Sequence, residues 1–318
     1  MCGILCLIDN INLNLLHSIQ HRGQESYGIS YFQYNRIRLH QYKGTIDPYN
    51  ISKIQYSIDN SKESIHYIIG HTRYSTSGNK NLGSMQTQPI CGIATIKGIE
   101  QPFMLVHNGN IHNRQSLYNH FKCSIDSSLS DTQILVSIIE SFRYDSWKEI
   151  LNKIINTIPV SYNIIIGTKD TIYIMRDSYG IRPLTIGRHE NNNNSFAICS
   201  ENNELESYGF TLQRDVFPGE ILSISIGSDD IKSINNSVIT FKKSYSKSIP
   251  CLFEYIYFLN KKSNSDGIDI TTFRYNCGKE LAKKDRIIMN SNFSEVIVVG
   301  APETGITSAL GYSDELNF

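Results

Sequence analysis

Short apolar stretches rich in Ile, Val and Tyr recur along the first three quarters of the chain. Gly, Asn and Asp turns separate them, and such bounded runs of β-branched and aromatic residues are typical of strands. The pattern therefore predicts a strand-rich domain. The stretches, in chain order, are GILCLI, YGISYFQY, HYIIGHTRY, FMLVHNG, SYNIIIGTK, TIYIMRD, PLTIGR, SFAICS and EILSISI. A polar tract, HENNNNS at 189–195, interrupts the later stretches and is predicted to be an exposed hairpin loop.

Two segments between the strands have helical periodicity instead. In SDTQILVSIIESF, Ser130 and Gln133 have the spacing of a capping box, and an apolar stripe follows them. The segment WKEILNKIINTI repeats the same period from Trp147. Paired helices beside many strands predict sheets covered by helices, in an α+β domain over residues 2–240.

The pattern changes after the Ser- and Lys-rich stretch KKSYSKS. A helix is predicted over roughly 271–288, followed by a buried strand in EVIVVGA, the loop PETG and a further helix beginning in ITSALGYSDEL. Since a strand, a loop and a helix in this order open many parallel α/β domains, we interpret residues 250–318 as the incomplete start of a second, α/β domain.

Composition excludes several classes of function. Lys and Arg number 30 and Asp and Glu number 30, so the formal net charge of zero gives no indication of a nucleic-acid or membrane-surface partner. The seven Cys residues form no CxxC pair and no zinc-type cluster, which favours a reducing compartment and predicts no metal site. The apolar start lacks a basic segment and is interrupted by Asp9, so we expect a cytoplasmic protein without a signal peptide.

The most informative candidate for catalysis is Cys2, which directly follows Met1. If Met1 is removed, one residue carries both a thiol and a free α-amine. An α-amine has an ordinary pKa of about 7.7–8.0 and a free thiol about 8.5, so the amine can accept the thiol proton near neutral pH. This is the arrangement of an N-terminal nucleophile. The alternative is that Cys2 is a small buried residue.

Polar clusters at the ends of predicted strands supply the groups needed to bind a free amino acid and cleave its side-chain amide. Arg73 can hold a carboxylate with two parallel hydrogen bonds, and Asp131 can hold an ammonium group. The Asn108 amide and the Gly109 N–H can stabilise an oxyanion, a donor type whose loss costs about 2.7–4 kcal/mol.

Each of these residues also has a simpler interpretation. Arg73 can be a surface ion-pair residue, the Asn108–Gly109 pair can be a hairpin turn, and Asp131 can serve a helix N-terminus. Three histidines beside apolar segments are interpreted as hydrogen-bonded structural residues, namely His21, His71 and His107.

In combination, these motifs resemble the class II glutamine amidotransferases, a group of N-terminal nucleophile hydrolases. MCGI, HRGQES, GHTRYST, VHNGNI and SDTQIL are similar to motifs of that class generally. Four further motifs resemble the amidophosphoribosyltransferase branch in particular: RDSYGIRPL (176–184), CSENNELESYGF (199–210), RDVFPGEI (214–221) and PCLFEYIYF with SDGI (250–268).

The resemblance implies a four-layer αββα sandwich for residues 2–240. It implies that Cys2 is the nucleophile, that Arg73 and the Thr76 hydroxyl hold the substrate carboxylate, and that Asp131 holds its ammonium group. Asn108 and Gly109 are implied to bind the oxyanion. Arg22 matches a residue near the nucleophile, with an orienting role, and Tyr74 matches a residue associated with closing the glutamine site.

The second domain departs from the family. The resemblance implies that residues 250–318 begin a type I phosphoribosyltransferase domain, and Ala301–Gly305 matches its first strand-to-helix turn. The adjacent acids Asp229 and Asp230 lack the Gly-Thr turn of a phosphoribosyl pyrophosphate loop, and we interpret them as a hairpin connection. We expect no cofactor in this chain and Mg²⁺ only in a complete transferase site. Cys251 matches one ligand position of an iron–sulfur cluster, but we predict no cluster.

The resemblance therefore implies an amidophosphoribosyltransferase-type chain whose transferase domain is incomplete, with glutaminase activity as the most that we expect of this chain alone. Glutamine is the expected substrate, and phosphoribosyl pyrophosphate is expected only where the transferase domain is completed. The family resemblance implies a homo-oligomer. Two alternatives stay open: a stand-alone glutaminase, or a subunit whose transferase half is a separate chain; and a non-catalytic remnant that serves as a binding module.

Overall fold

The computed structural model describes residues 1–74, 86–111, 117, 121, 129–158, 161–226, 238–241, 248–288 and 297–317. These residues form two compact units. The first contains residues 1–200 and 204–250, and the second contains residues 201–203 and 251–318.

The first unit contains fourteen strands among its described residues. Its elements, in chain order, are β1 (Gly3–Ile8), a 3₁₀ helix (Leu13–Arg22), β2 (Ser26–Gln33), β3 (Arg36–Lys43), α1 (Pro48–Asp59), β4 (Tyr67–Arg73), β5 (Ile90–Ile96), β6 (Ile99–Gly109), α2 (Asp131–Ser141), β7 (Arg143–Tyr144), α3 (Trp147–Thr157), β8 (Tyr162–Thr168), β9 (Thr171–Arg176), β10 (Thr185–His189), β11 (Asn192–Cys199), a short 3₁₀ helix (Glu206–Tyr208), β12 (Phe210–Asp215), β13 (Glu220–Ser225) and β14 (Val238–Phe241).

These strands form two seven-stranded sheets. The first has the order β12-β10-β11-β1-β4-β2-β3, and the second has the order β14-β13-β9-β8-β6-β5-β7. Neighbouring strands are antiparallel except β5 and β7, which are parallel. The polar tract at 189–195 forms the β10–β11 hairpin, where His189 pairs with Asn192, so the predicted hairpin is confirmed.

Three apolar clusters separate four layers. Ile4, Cys6 and Ile8 of β1 pack with Met104 and Val106 of β6 in the cluster between the two sheets. The other face of β1 packs with the 3₁₀ helix Leu13–Arg22 and α1, and the other face of β6 packs with α2 and α3. Because alternate residues of a strand face opposite sides of its sheet, each central strand serves two clusters. The predicted αββα sandwich is therefore confirmed.

The two predicted helices of this unit form as expected. Ser130 accepts a hydrogen bond from the Gln133 N–H, and the Gln133 side chain accepts one from the Ser130 N–H, which completes the capping box of α2. Ser146 caps α3, and Trp147 is buried with the apolar stripe that follows it. Both helices thus begin where side-chain oxygens satisfy N–H groups that have no partner within the helix.

The second unit is largely helical. It contains a short π-helix (Glu254–Phe258), the two-residue strands β15 (Asn264–Ser265) and β16 (Ile268–Asp269), α4 (Ile270–Ile288) and α5 (Thr304–Leu316). The two long helices pack together, with a hydrogen bond of 2.5 Å from the Tyr275 hydroxyl to Asp314. Both helices lie where the sequence predicts them.

The predicted buried strand EVIVVGA does not form in its described part, residues 297–301. Ile297 is 86% exposed and Val299 is 82% exposed. A buried parallel strand requires neighbours on both edges and covering layers on both faces, and no described strand pairs with this segment. That prediction is wrong for the described residues, and the assignment of residues 250–318 to a phosphoribosyltransferase domain stays a prediction.

Candidate active site

The register of β1 against β4 places Cys2 at one edge of the sandwich. Gly3 pairs with Thr72 in this antiparallel ladder, so Cys2 lies opposite Arg73 one position further along. The half-buried Cys2 donates its thiol hydrogen to the Tyr74 carbonyl at 3.6 Å. Arg73 and Tyr74 are two of the predicted site residues, and the strand pairing brings both to the candidate nucleophile.

Arg22 fixes the main chain of Cys2 from the other side. Its side chain is fully buried, and its Nε donates to the Cys2 carbonyl at 3.1 Å. The next residue, Gly23, packs against the end of β4, since a Cβ there would lie 2.5 Å from the Arg73 nitrogen. The HRG turn therefore holds the Cys2 main chain and the end of β4 together, a geometry that supports the orienting role expected for Arg22.

Asn108 ends the row of β6 residues that faces the layer between the sheets. Met104 and Val106 lie in that layer, and alternation assigns Asn108 to the same side. Cys2 likewise extends the inward row of Ile4 and Cys6. Asn108 is 1% exposed, and its Nδ2 has no hydrogen-bond partner among the residues that the structure describes. A buried amide hydrogen donor without a partner thus faces the same layer as the candidate nucleophile.

Gly109 lies at the end of β6 in a position that excludes any side chain. A Cβ there would lie 2.1 Å from the Ser161 carbonyl oxygen. β6 pairs with β8, with Asn108 opposite Asn163, so Asn108 and Gly109 lie within the ladder of two strands distant in sequence. The alternative interpretation of this pair as a hairpin turn is therefore wrong.

Asp131 is the first residue of α2 and is buried. Its Oδ2 accepts a hydrogen bond from the Ile111 N–H at 2.9 Å, which ties it to the segment that follows Gly109. An acidic residue in the first turn of a helix is favoured by the helix dipole, as the simpler interpretation expects. The structure also brings Asp131 to the end of β6, beside the predicted oxyanion residues.

Arg73 is nine-tenths buried, and its Nη2 donates to Gln86 Oε1 at 2.5 Å. This burial is contrary to the interpretation of Arg73 as a surface ion-pair residue. Tyr74, the next residue, is 46% exposed. Thr76, the other residue predicted to bind the carboxylate, lies outside the described residues.

Near this edge each sheet carries one buried histidine, His71 on β4 and His107 on β6. Burial, followed by the charges of Arg73, His107 and the chain amino terminus, lowers the pKa of His71 to about 3, although the nearby His107 main chain acts in the opposite direction. Burial lowers the pKa of His107 to about 4, and the Asp131 carboxylate offsets part of this effect. Both rings are therefore neutral at pH 7 and add no positive charge to the site.

The interpretation of these histidines as hydrogen-bonded structural residues holds only in part. His107 Nδ1 lies 3.4 Å from the Thr132 hydroxyl, which agrees with it. His71 is fully buried, as a structural residue would be, but neither of its ring nitrogens has a hydrogen-bond partner among the described residues, so the hydrogen-bonded part of the interpretation is wrong for it. His21 is exposed.

The sequence analysis did not identify Gln86 and Gln88, which lie beside Arg73 and beside the end of β6, respectively. Gln86 binds Arg73, and Gln88 exchanges two hydrogen bonds with the main chain of His107, at 2.6 and 3.2 Å. No helical or strand period marks these residues in the sequence. The alternation of two amide side chains before Pro89 is the one signal that could have indicated them.

Two motifs that resemble the amidophosphoribosyltransferase branch have structural roles here. Arg176 of RDSYGIRPL is buried, and its guanidinium donates to three main-chain carbonyls at 2.6–2.9 Å. Arg214 of RDVFPGEI forms a two-bond ion pair with the buried Glu220, at 2.8 and 2.9 Å. These contacts stabilise the turns around β9 and β13, so both motifs contribute to the stability of the sandwich.

Metal and membrane features were sought in the same part of the chain. No group of three or more His, Cys, Asp or Glu side chains in the described ranges could hold a metal ion. No described helix combines the length and the apolar character needed to cross a membrane.

Comparison with known proteins agrees with this geometry. Residues 83–207 match the family model of a glutamine amidotransferase domain. The amidophosphoribosyltransferase of Bacillus subtilis is 31% identical over 301 residues, which are 94% of this chain and 58% of that protein. The amidophosphoribosyltransferase of Archaeoglobus fulgidus is 31% identical over 327 residues, 99% of this chain and 65% of that protein.

Solved structures give the same result. A structure described as the allosteric regulatory enzyme of purine biosynthesis has a TM-score of 0.77 and 28% identity, and the match covers 99% of this chain and 63% of that one. Over nearly its whole length the chain is therefore similar to amidophosphoribosyltransferases. The glutamine phosphoribosylpyrophosphate amidotransferase of B. subtilis, complexed with ADP and GMP, has a TM-score of 0.74 and 27% identity over 100% of this chain and 64% of that one. The chain thus spans about 58% to 65% of the length of these family members.

Proposed function

We propose that this chain hydrolyses the side-chain amide of L-glutamine, with Cys2 as the nucleophile. The observation that carries the proposal is the buried Nδ2 of Asn108, which has no partner among the described side chains and main-chain groups and faces the same layer as Cys2. A buried amide N–H without a partner costs about 1–3 kcal/mol. An oxyanion that forms next to Cys2 would supply the missing acceptor during the reaction.

The reaction proceeds in two steps on this chain's residues. The Cys2 sulfur attacks the glutamine amide carbon, and the Cys2 α-amine accepts the thiol proton. Asn108 Nδ2 and the Gly109 N–H hold the oxyanion as the C–N bond breaks and ammonia leaves with that proton. Water then cleaves the thioester to release glutamate and the free thiol. With Met1 in place the Cys2 nitrogen is a peptide N–H and cannot act as the base, so removal of Met1 is part of the proposal.

Substrate recognition follows from the charges around Cys2. Arg73 would hold the α-carboxylate with its planar fork, and the Thr76 hydroxyl would add a donor. Asp131 would hold the α-ammonium group from the end of β6. Tyr74 would cover the site, and Arg22 would keep the Cys2 main chain in place through its carbonyl.

The full family reaction extends this half-reaction. We propose that ammonia released here aminates phosphoribosyl pyrophosphate where the transferase site is complete, which gives 5-phosphoribosylamine and pyrophosphate, the step that serves purine biosynthesis. The names of the relatives support this assignment. A homo-oligomer and a Mg²⁺ requirement belong to the same proposal for the complete protein.

The test is glutamine turnover by purified protein whose intact mass confirms the loss of Met1. Wild-type protein is expected to release glutamate and ammonia in equal amounts, and a diazoketone analogue of glutamine is expected to add once, at Cys2. Cys2→Ala should abolish both results without changing the circular dichroism spectrum. Residual turnover in Cys2→Ala, or alkylation at another cysteine, would remove Cys2 from the mechanism.

A further inference from the structure

Gln86 is buried at the edge of the site, and within the described residues only its side-chain oxygen has a hydrogen-bond partner. Its side chain is 2% exposed. Oε1 accepts the hydrogen bond from Arg73 Nη2 at 2.5 Å, whereas Nε2 has no partner in the described part of the chain. Buried amide nitrogens are rarely left without an acceptor, and each one requires an explanation.

The unpartnered nitrogen lies close to the Arg73 guanidinium. Nε2 and Oε1 are bonded to the same carbon, so Nε2 lies within about 5 Å of Arg73 Nη2. A guanidinium carries five N–H donors in a planar fork, a geometry that suits a two-bond grip on a carboxylate. A carboxylate held by that fork would have further lone pairs within reach of Nε2.

The neutral amide of Gln86 fits the same role. An amide oxygen orients the guanidinium without neutralising it, so the positive charge stays available for an anion. A carboxylate at this position would form an ion pair with Arg73 and repel an anionic ligand. The neutral acceptor and the spare donor of Gln86 together suit a site that receives a carboxylate from outside the protein.

We propose that Gln86 is a second carboxylate-binding residue of the glutamine site. Oε1 aims the Arg73 fork, and Nε2 donates to the substrate α-carboxylate. This inference depends on the proposed glutaminase function. It predicts that Gln86 contributes to binding of substrate and transition state alike, since the α-carboxylate does not change during amide cleavage.

Gln88 provides a matched control two residues further along. It is the same residue type and is also buried, but its amide groups are both used, by the His107 N–H and carbonyl. The Gln88 side chain therefore bonds the His107 main chain near the end of β6, as the main chain of a neighbouring strand would. Its loss should affect the stability of the fold and should not change affinity for a carboxylate.

The experiment compares Gln86→Met and Gln88→Met in steady-state glutamine hydrolysis. Gln86→Met is expected to raise KM about 10-fold or more, as loss of a hydrogen bond to a charged group does, with kcat within about 2-fold of wild type. Gln86→Glu keeps an acceptor for Arg73 and should raise KM further, because its charge repels the substrate. Gln88→Met is expected to keep the wild-type KM and to unfold at lower temperature.

Calorimetric binding of L-glutamate, the product, supplies a readout independent of turnover. Its dissociation constant should rise in Gln86→Met by the same factor as KM. If wild-type protein hydrolyses glutamine but KM in the Gln86 variants stays within 2-fold of wild type, the inference fails and the function stands. If wild-type protein neither hydrolyses glutamine nor binds glutamate, both fail. Should Gln86→Met not fold, Gln86→Glu decides alone, and an unchanged KM there overturns the inference.

Discussion

Replacement of Asn108 tests the oxyanion assignment most directly, because catalysis and stability should move in opposite directions. Removal of one oxyanion donor lowers kcat about 10²–10³-fold. The free protein, in contrast, retains a buried Nδ2 without a partner, at a cost of about 1–3 kcal/mol. Asn108→Leu replaces that amide by an apolar group of similar size. We expect kcat to fall by at least 10²-fold, KM to change little, and the free energy of unfolding to equal or exceed that of wild type.

Asn163 is the matched control, since it lies directly opposite Asn108 in the β6–β8 ladder and is also fully buried. Unlike that of Asn108, its Nδ2 is satisfied, by the Pro183 carbonyl at 2.7 Å, although its Oδ1 has no partner among the described residues. Asn163→Leu should therefore lower the free energy of unfolding by about 1–3 kcal/mol and leave kcat within a few-fold of wild type. Urea unfolding and glutamine turnover measure both variants. A wild-type kcat in Asn108→Leu, or the same pattern in both variants, would refute the assignment.

Three further predictions concern recognition, pH and folding. Arg73→Lys should raise KM for glutamine about 10-fold or more in initial-rate assays, because a Lys cannot form the two-bond grip; an unchanged KM would contradict the carboxylate role. His71 and His107 have folded pKa values of about 3 and about 4, below the ordinary 6.5. The unfolded chain therefore binds protons that the folded chain does not, and stability, complete above about pH 6.5, should fall as pH falls toward those values. Each histidine contributes up to about 1.4 kcal/mol per pH unit to the slope of unfolding free energy against pH. His71→Leu should therefore flatten this curve, and an unchanged curve would show that His71 is not a source of the pH dependence. Arg176→Met leaves three main-chain carbonyls, two of them buried, without their donor and should lower the free energy of unfolding in urea by about 2–3 kcal/mol or more, whereas a loss below about 1 kcal/mol would show that the carbonyls find other partners.

The sandwich could be predicted from the sequence because its signals are local. The capping box of Ser130 and Gln133 and the apolar period that follows are contained within one helix, and the helix forms as predicted. The strand from Glu295 to Ala301 was predicted on equally local grounds and does not form in its described part. A buried parallel strand depends on neighbours distant in sequence, and an apolar run alone cannot show whether those neighbours are present.

The candidate site was predictable in residue type but not in geometry. Cys2, Arg73 and Asn108 carry the chemistry in their side chains, so their motifs could be recognised. The part played by Gln86 depends on which atom of its amide is satisfied and which is not, and an amide side chain has no sequence pattern that shows this. The Asn108–Gly109 pair shows the same difficulty, since only the pairing with β8 excludes a turn.

The position of the site follows from the way the core is built. On β1, β4 and β6, every second side chain faces the layer between the sheets. These inward-facing side chains are apolar along most of each strand, and the last ones at the site edge are Cys2, Arg73 and Asn108. Because side chains alternate with a period of two, a slip of one residue in any of these strands would turn its functional side chain to the outer face. The apolar members of each row make such a slip unfavourable, since they would leave the core. The burial that stabilises the sandwich therefore also turns Cys2, Arg73 and Asn108, the proposed nucleophile, carboxylate-binding residue and oxyanion donor, into one layer.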